Sequence, residues 1–155
     1  MKNSLSVKSP IGTLTIAEDG IGITDIFMSG KMPDTNMQTK STPLLCEAAE
    51  QLSEYFLGKR KTFTLPLSLH GTEFQLAVWK TLRDIPYGET KSYKQITAQL
   101  GRPKAFRAVG MANRCNPILI VVPCHRVIGS GGSLTGYRAG LEAKRFLLAL
   151  EQKYK

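Results

Sequence analysis

The sequence predicts a mixed α/β (α+β) chain folded as two domains, residues 1–69 and 70–155. Three observations carry this. Short strand-like runs in the first part give way to one amphipathic helix. The composition changes around Ser68-Leu69-His70-Gly71. Beyond that junction the pattern is mainly helical, and two short helices are separated by a tight glycine turn.

Each element has a local reason. Leu5-Ser6-Val7 and Leu14-Thr15-Ile16 flank Pro10-Ile11-Gly12, which predicts a hairpin. Ile21 to Phe27 reads as a further strand, and polar Lys31 to Lys40 as a loop. Thr42-Pro43 offers an N-cap with proline at the first helical position. Leu44, Leu45, Ala48, Ala49, Leu52, Tyr55 and Phe56 follow at helical spacing, and Gly58 stops that helix. Thr62 to Leu67 reads as one more strand.

In the second part Thr72 caps a helix carrying Phe74, Ala77, Val78 and Leu82, with Trp79 as a core anchor. Ile85-Pro86-Tyr87-Gly88 is a turn. Thr90 caps the next helix, through Tyr93, Ile96 and Leu100, and Gly101-Arg102-Pro103 breaks it. Proline then starts a second helix, Lys104 to Arg114, completing a helix-turn-helix. Its Ala105, Ala108 and Ala112 form a stripe of small side chains, suited either to close approach of a partner or to core packing. The apolar, largely β-branched run Ile118 to Val122 reads as a buried strand, and Gly129 to Ser133 as a β-hairpin wing. A last helix, Leu141 to about Lys153, closes the domain with Phe146, Leu147 and Leu150.

The bulk numbers exclude several classes. Hydrophobic residues make up 42% of the chain, ordinary for a globular core. No apolar run approaches a membrane span, and the N-terminus has no signal-like segment. Three cysteines, Cys46, Cys115 and Cys124, give neither a disulfide framework nor a CxxC pair. A reducing cytoplasm is the simplest setting. The net charge is +9, and all of the excess lies beyond residue 69, where fourteen basic residues face five acids. From Thr90 to Leu141 there is no acid against eight basic residues. Such a block suits a polyanion or is simply a solvated basic face.

Pro123-Cys124-His125-Arg126 carries the chemistry. Only a thiolate is a good nucleophile, and nearby positive charge lowers the thiol pKa. The strand-like run before Cys124 would deliver it to a site beside His125 and Arg126. A nucleophile, a metal ligand and a buried hydrophobe are the possible roles; two polar, basic successors favour the first. With only His70 and His125 available, no familiar zinc set can be assembled, and no metal is expected. A general base needs an orienting group, often a carboxylate. Glu73, Asp84, Glu89, Glu142 and Glu151 are available, and spacing does not choose among them. His70 reads as surface or linker, and Cys46 and Cys115 as structural.

Beyond these readings stand motifs of a known family. They are Gly71-Thr72-Glu73-Phe74-Gln75, Ile85-Pro86-Tyr87-Gly88-Glu89-Thr90, Ser92-Tyr93, Arg107-Ala108-Val109-Gly110, Asn116-Pro117 and Pro123-Cys124-His125-Arg126-Val127-Ile128. Gly136-Tyr137 and Leu147-Leu148 through Glu151 complete the set. The chain resembles the O6-alkylguanine-DNA alkyltransferases, also called methylated-DNA–protein-cysteine methyltransferases. The match is dense over residues 70–153 and weak over 1–69.

The resemblance implies a small ribonuclease-H-like N-terminal domain and a C-terminal winged helix-turn-helix domain. It implies one irreversible transfer of an alkyl group from O6-alkylguanine, or O4-alkylthymine, in DNA to Cys124, without a cofactor. By the same resemblance His125 deprotonates Cys124 through a water, Glu151 orients His125, Tyr93 donates a proton to the leaving purine, and Asn116 braces the site. The backbone carbonyls of Cys124 and Val127 read the guanine amino group, with Tyr137 and Arg138 also at the base. Arg107 enters the duplex in place of a flipped nucleotide. Lys104, Ala105, Phe106, Ala108, Arg114 and Tyr93 belong to the DNA-binding face. The helix Lys104 to Arg114 would lie in the minor groove of double-stranded DNA, with the protein a monomer, cytoplasmic, or nucleoid-associated in a prokaryote. Phe106 and Arg138 stand where smaller residues are expected, and the zinc ligands of some eukaryotic members have no counterpart.

Two other readings compete. A non-catalytic winged-helix DNA-binding or lesion-sensing protein would share the basic half, but the family's sensors lack the cysteine that this chain has. A cysteine hydrolase explains neither the basic block nor the helix-turn-helix, and needs an oxyanion hole.

Overall fold

The computed structural model describes residues 1–30, 36–134 and 136–155. The chain divides into two compact units, Met1–His70 and Gly71–Lys155. In the first unit, β1 (Lys2–Val7), β2 (Leu14–Glu18), β3 (Ile23–Met28) and β4 (Met37–Thr39) form one sheet in the order β3-β2-β1-β4. The β1–β2 hairpin is antiparallel with Leu5 opposite Ile16, as the turn residues predict. β3 starts two residues later than expected. Asp19 Oδ1 accepts from the Ile21 and Gly22 amides at 2.9 and 3.1 Å, which ties residues 19–22 into a turn.

Residues 37–39, expected in a loop, instead pair parallel with β1, Lys2 opposite Met37. Residues 31–35 of that expected loop lie outside the described residues. α1 (Pro43–Phe56) begins as predicted, with Thr42 Oγ1 accepting from the Leu45 amide at 3.2 Å. It buries Leu45, Ala48, Leu52 and Tyr55, and Gly58 follows at φ 75°, a conformation that favours glycine. The strand expected over residues 62–67 reduces to one bridge, Ile23 to Leu67. The buried Gln51 amide holds Thr64 instead: its Oε1 accepts from the Thr64 amide and its Nε2 donates to Thr64 Oγ1, both at 3.0 Å.

The second unit starts with α2 (Glu73–Arg83), closed by a reciprocal Thr72–Gln75 capping box. Trp79 is buried on its inner face and donates Nε1–H to the Ala112 carbonyl at 2.9 Å. β5 (Lys91–Ser92) leads into α3 (Tyr93–Gln99). The cap there is Ser92 rather than Thr90. Ser92 and Gln95 exchange side-chain and backbone bonds at 3.2 and 2.8 Å, and Thr90 lies before the strand.

α4 (Phe106–Arg114) starts later than the sequence suggested. Pro103 sits in the preceding turn, which the Ala105 amide closes onto the Arg102 carbonyl, so Lys104 and Ala105 precede the helix. α3, the turn and α4 nevertheless form the helix-turn-helix. After α4 come a 3-10 turn at Cys124–Arg126, β6 (Val127–Ile128) parallel to β5, a second 3-10 turn at Ser130–Gly132, and α5 (Leu141–Tyr154).

Two expectations change here. Ile118 to Val122 is not a strand: the Val121 and Val122 amides bond to the Leu119 and Ile118 carbonyls, and Ile120 has φ 73°. The Asn116 side chain imposes this turn, accepting from the Ile118 amide at 3.0 Å and donating to the Val122 carbonyl at 2.8 Å. The glycine-rich loop is a 3-10 turn with Gly131 at φ 78°, not a hairpin among the described residues. In α5, Leu147 and Leu150 are buried but Phe146 is exposed. Among the described residues, no helix is long and apolar enough to cross a membrane.

Candidate active site

Cys124 opens the 3-10 turn that follows the Asn116-bound loop, and its side chain is buried. Burial pushes the thiol up to about 11, against a hydrogen bond from Asn116 and the charges of Lys144 and Arg138. This corrects the expectation that His125 and Arg126 activate it. A thiol of that pKa is ionised to roughly one part in 10⁴ at pH 7, so its proton must be removed during reaction.

The reason lies in Glu151, projecting from α5. Its Oε2 accepts from His125 Nε2 at 2.6 Å and from an Arg126 terminal nitrogen at 3.0 Å. Its Oε1 accepts from Arg126 Nε at 2.8 Å and from the Gly88 amide at 3.1 Å. Arg126 also donates to the Ile85 carbonyl at 2.7 Å. All three side chains are buried. Burial opposes ionisation of Glu151, but the His125 and Arg126 contacts prevail and hold its carboxyl at about 2. The charge of Arg126 is therefore committed to Glu151 and not to the thiol.

Burial lowers the His125 pKa despite Glu151, so the imidazole is neutral. An ionised carboxylate can only accept, which puts the imidazole proton on Nε2 and leaves a lone pair on Nδ1. That Nδ1 is buried and has no hydrogen-bond partner among the described residues. Of the five carboxylates left open by spacing, the fold brings Glu151 to His125.

The base-binding candidates surround this network. Tyr137 is buried with its ring centroid 6.4 Å from that of His125, edge-on, and its hydroxyl has no partner among the described residues. Arg138 donates to the Asn116 carbonyl at 3.2 Å, bracing the turn that holds the thiol. The Val127 carbonyl accepts from Lys144 Nζ at 2.6 Å, and the Cys124 carbonyl from the Val127 amide. Each keeps a second lone pair for a ligand.

Sequence reasoning missed the roles of Arg126 and Lys144. Arg126 stands in the motif, where its place beside Cys124 suggests a thiol activator rather than a partner of Glu151. Lys144 is fully buried, and the legible signal was a lysine one turn before Leu147 and beside Ala143 on the buried stripe of α5.

A cavity of about 560 Å³ lies against α3 and α4, lined by Tyr93, Lys94, Phe106, Arg107, Gly110, Met111, Arg114 and Gly136. Cys124 does not line it; Gly136 at its edge is one residue from Tyr137. Tyr93 is half-buried, and its hydroxyl accepts from Asn113 Nδ2 at 3.4 Å. Lys104, Phe106, Arg107, Ala108 and Arg114 are exposed. The alanines do not share one open face: Ala112 is buried, Ala105 half-buried and Ala108 exposed. His70 is exposed, with Nε2 3.1 Å from Ser68 Oγ. Cys46 and Cys115 are exposed and belong to no core.

Comparison with known proteins identifies the two domains. Residues 73–153 match the DNA binding domain of 6-O-methylguanine DNA methyltransferase, and residues 5–69 match its ribonuclease-like domain. The methylated-DNA–protein-cysteine methyltransferase of Methanosarcina barkeri is 49% identical over 151 residues, covering 94% of each chain. The constitutive enzyme of that name from Bacillus subtilis is 51% identical over 154 residues, covering 95% of this chain and 93% of its own. The Mycobacterium tuberculosis OGT structure in complex with DNA superposes with a TM-score of 0.92 at 47% identity, covering 98% of this chain and 94% of that one. With both domains matched and relatives near half-identical along almost the whole length, this chain belongs to the 6-O-methylguanine DNA methyltransferase family.

Proposed function

We propose that this protein repairs alkylated DNA directly, taking the alkyl group of O6-alkylguanine onto Cys124 in a single, irreversible turnover. The observation that carries this is the His125 ring, neutral, fixed by Glu151 through Nε2 and open at Nδ1. His125 Nδ1 draws the thiol proton, through a water, as sulfur attacks the alkyl carbon. The sulfur–carbon bond forms as the O6–carbon bond breaks, and Tyr93 supplies a proton to the departing guanine. The proton taken from sulfur returns to Tyr93, so the products are S-alkylcysteine and guanine. O4-alkylthymine presents the same kind of carbon to the same sulfur.

The DNA face is α4 with its preceding turn. Lys104, Arg107 and Arg114 are exposed there, and Lys94 is exposed on α3, all within the stretch that contains no acid. Gly110 sits mid-helix, where glycine costs about 1 kcal/mol relative to alanine. A Cβ placed on it would meet nothing within 4 Å, so internal packing does not require the glycine. Close approach of an outside backbone does, which fits α4 against a DNA groove, the minor groove in this reading. The target base leaves the stack to reach the buried sulfur, and Arg107 fills its place. In this reading the Gly129–Ser133 loop serves as the wing, and the working unit is a cytoplasmic monomer.

Intact mass after incubation with an O6-methylguanine duplex tests this. A gain of one methyl group in place of hydrogen, lost in Cys124→Ala, is expected. Unchanged mass with intact DNA binding would favour the lesion-sensing alternative.

A further inference from the structure

Phe106 and Met111 are 47% and 58% exposed, on a helix whose other outward residues include Arg107 and Arg114. The inward face of α4 is already filled by Val109 and Ala112. Phe106, Gly110, Arg114, Arg107 and Met111 fall, in that order, across an arc of about 140° at 100° per residue. All five line the same cavity as Tyr93. Two large apolar side chains thus edge a basic surface formed by Arg114 and Arg107, with the bare Gly110 beside Phe106.

Phosphates are met by cations, and apolar side chains find their match in the stacked bases and sugars between them. We propose that Phe106 and Met111 are an apolar wedge that presses on the base pairs bordering the nucleotide taken out of the stack, so that this chain opens duplex DNA with three side chains, Arg107 and these two. The inference rests on the alkyltransferase reading above. The free energy needed to unstack a step is offset by contact of the aromatic and thioether side chains with base surface. The occupant is a DNA duplex because cations crowd the same arc and no acid lies between Thr90 and Leu141.

The test is single-turnover alkyl transfer by the full-length protein from an O6-methylguanine duplex, compared with a free O6-alkylguanine base. In Phe106→Ala/Met111→Ala the ratio of duplex to free-base rates falls about tenfold, the range of base stacking on a side chain. Phe106→Trp keeps the wild-type ratio. A 2-aminopurine beside the lesion brightens when the wild-type protein binds and stays dark with the double variant. Both side chains are exposed, so the melting temperature of the double variant stays at the wild-type value.

An unchanged ratio overturns the wedge, as does equal loss on both substrates. A DNA-free wild type that sediments as a dimer, with a monomeric double variant, makes the patch a protein interface and overturns it too. A wild type that reacts with neither substrate overturns the alkyltransferase reading, and the wedge with it.

Discussion

Glu151→Gln tests the central network with one atom changed. The carboxylate is 1% exposed and accepts four hydrogen bonds, from His125, twice from Arg126 and from the Gly88 amide. The amide keeps one acceptor oxygen but points an NH2 group at donors, and it removes the counter-charge of a buried guanidinium. Breaking a buried ion pair from one side costs about 3–5 kcal/mol. The pKa gives a second route to the magnitude. A carboxyl moved from 4.5 to about 2 has its ionised form favoured by the fold, worth about 3 kcal/mol at roughly 1.4 kcal/mol per unit. The two routes agree, so a loss of about 3–4 kcal/mol is expected in urea unfolding at pH 7. The native carboxylate's contribution is complete above pH 4.5 and declines as pH falls toward about 2. Arg126→Met should lose a comparable amount, and the double variant about 2 kcal/mol less than the two losses added, because each single change strands the other partner. A loss under about 1 kcal/mol for Glu151→Gln, or additive losses, would refute the view that the pair is a buried, mutually dependent unit.

Two further outcomes follow from the same geometry. Thiolate absorbance should show Cys124 titrating near pH 11 in the unalkylated protein, and a midpoint near 7 would contradict the burial argument. Because the folded thiol keeps its proton between about 9 and 11, its contribution to stability should fall by about 3 kcal/mol as pH rises through that window, and Cys124→Ser should remove that part of the pH dependence. Trp79→Phe deletes the donor to the Ala112 carbonyl and part of a buried ring; about 2 kcal/mol should be lost in urea unfolding, and a change within 0.5 kcal/mol would show that the α2–α4 contact does not depend on that bond.

Where the deciding contacts are local, the elements were legible. Thr42-Pro43 and Thr72 with Gln75 act within four residues of the helix they start, and both helices begin as read. Ser92 with Gln95 spelled the same capping box, and taking Thr90 instead overlooked it. Ile118 to Val122 misled because β-branched composition is indifferent to the turn that the Asn116 amide enforces through two hydrogen bonds. Thr62 to Leu67 misled for a similar reason: Gln51, on a helix earlier in the chain, takes the Thr64 amide that a strand would have paired and also binds the Thr64 hydroxyl.

By itself the sequence determined the division into a charge-balanced and a basic half, the helix-turn-helix, and Cys124-His125-Arg126 as the candidate reactive centre. It also placed Glu151 beside His125, but only by resemblance. The tertiary structure decided what those residues do electrostatically. Glu151 reaches His125 from 26 positions away on the last helix, and once there it claims the charge of Arg126. Lys144 reaches the Val127 carbonyl from the same helix and, with Arg138, acts on the sulfur. Neighbours in sequence supplied the candidates; burial, which strengthens charge interactions by excluding water, decided which pairs could form and how far each group is shifted.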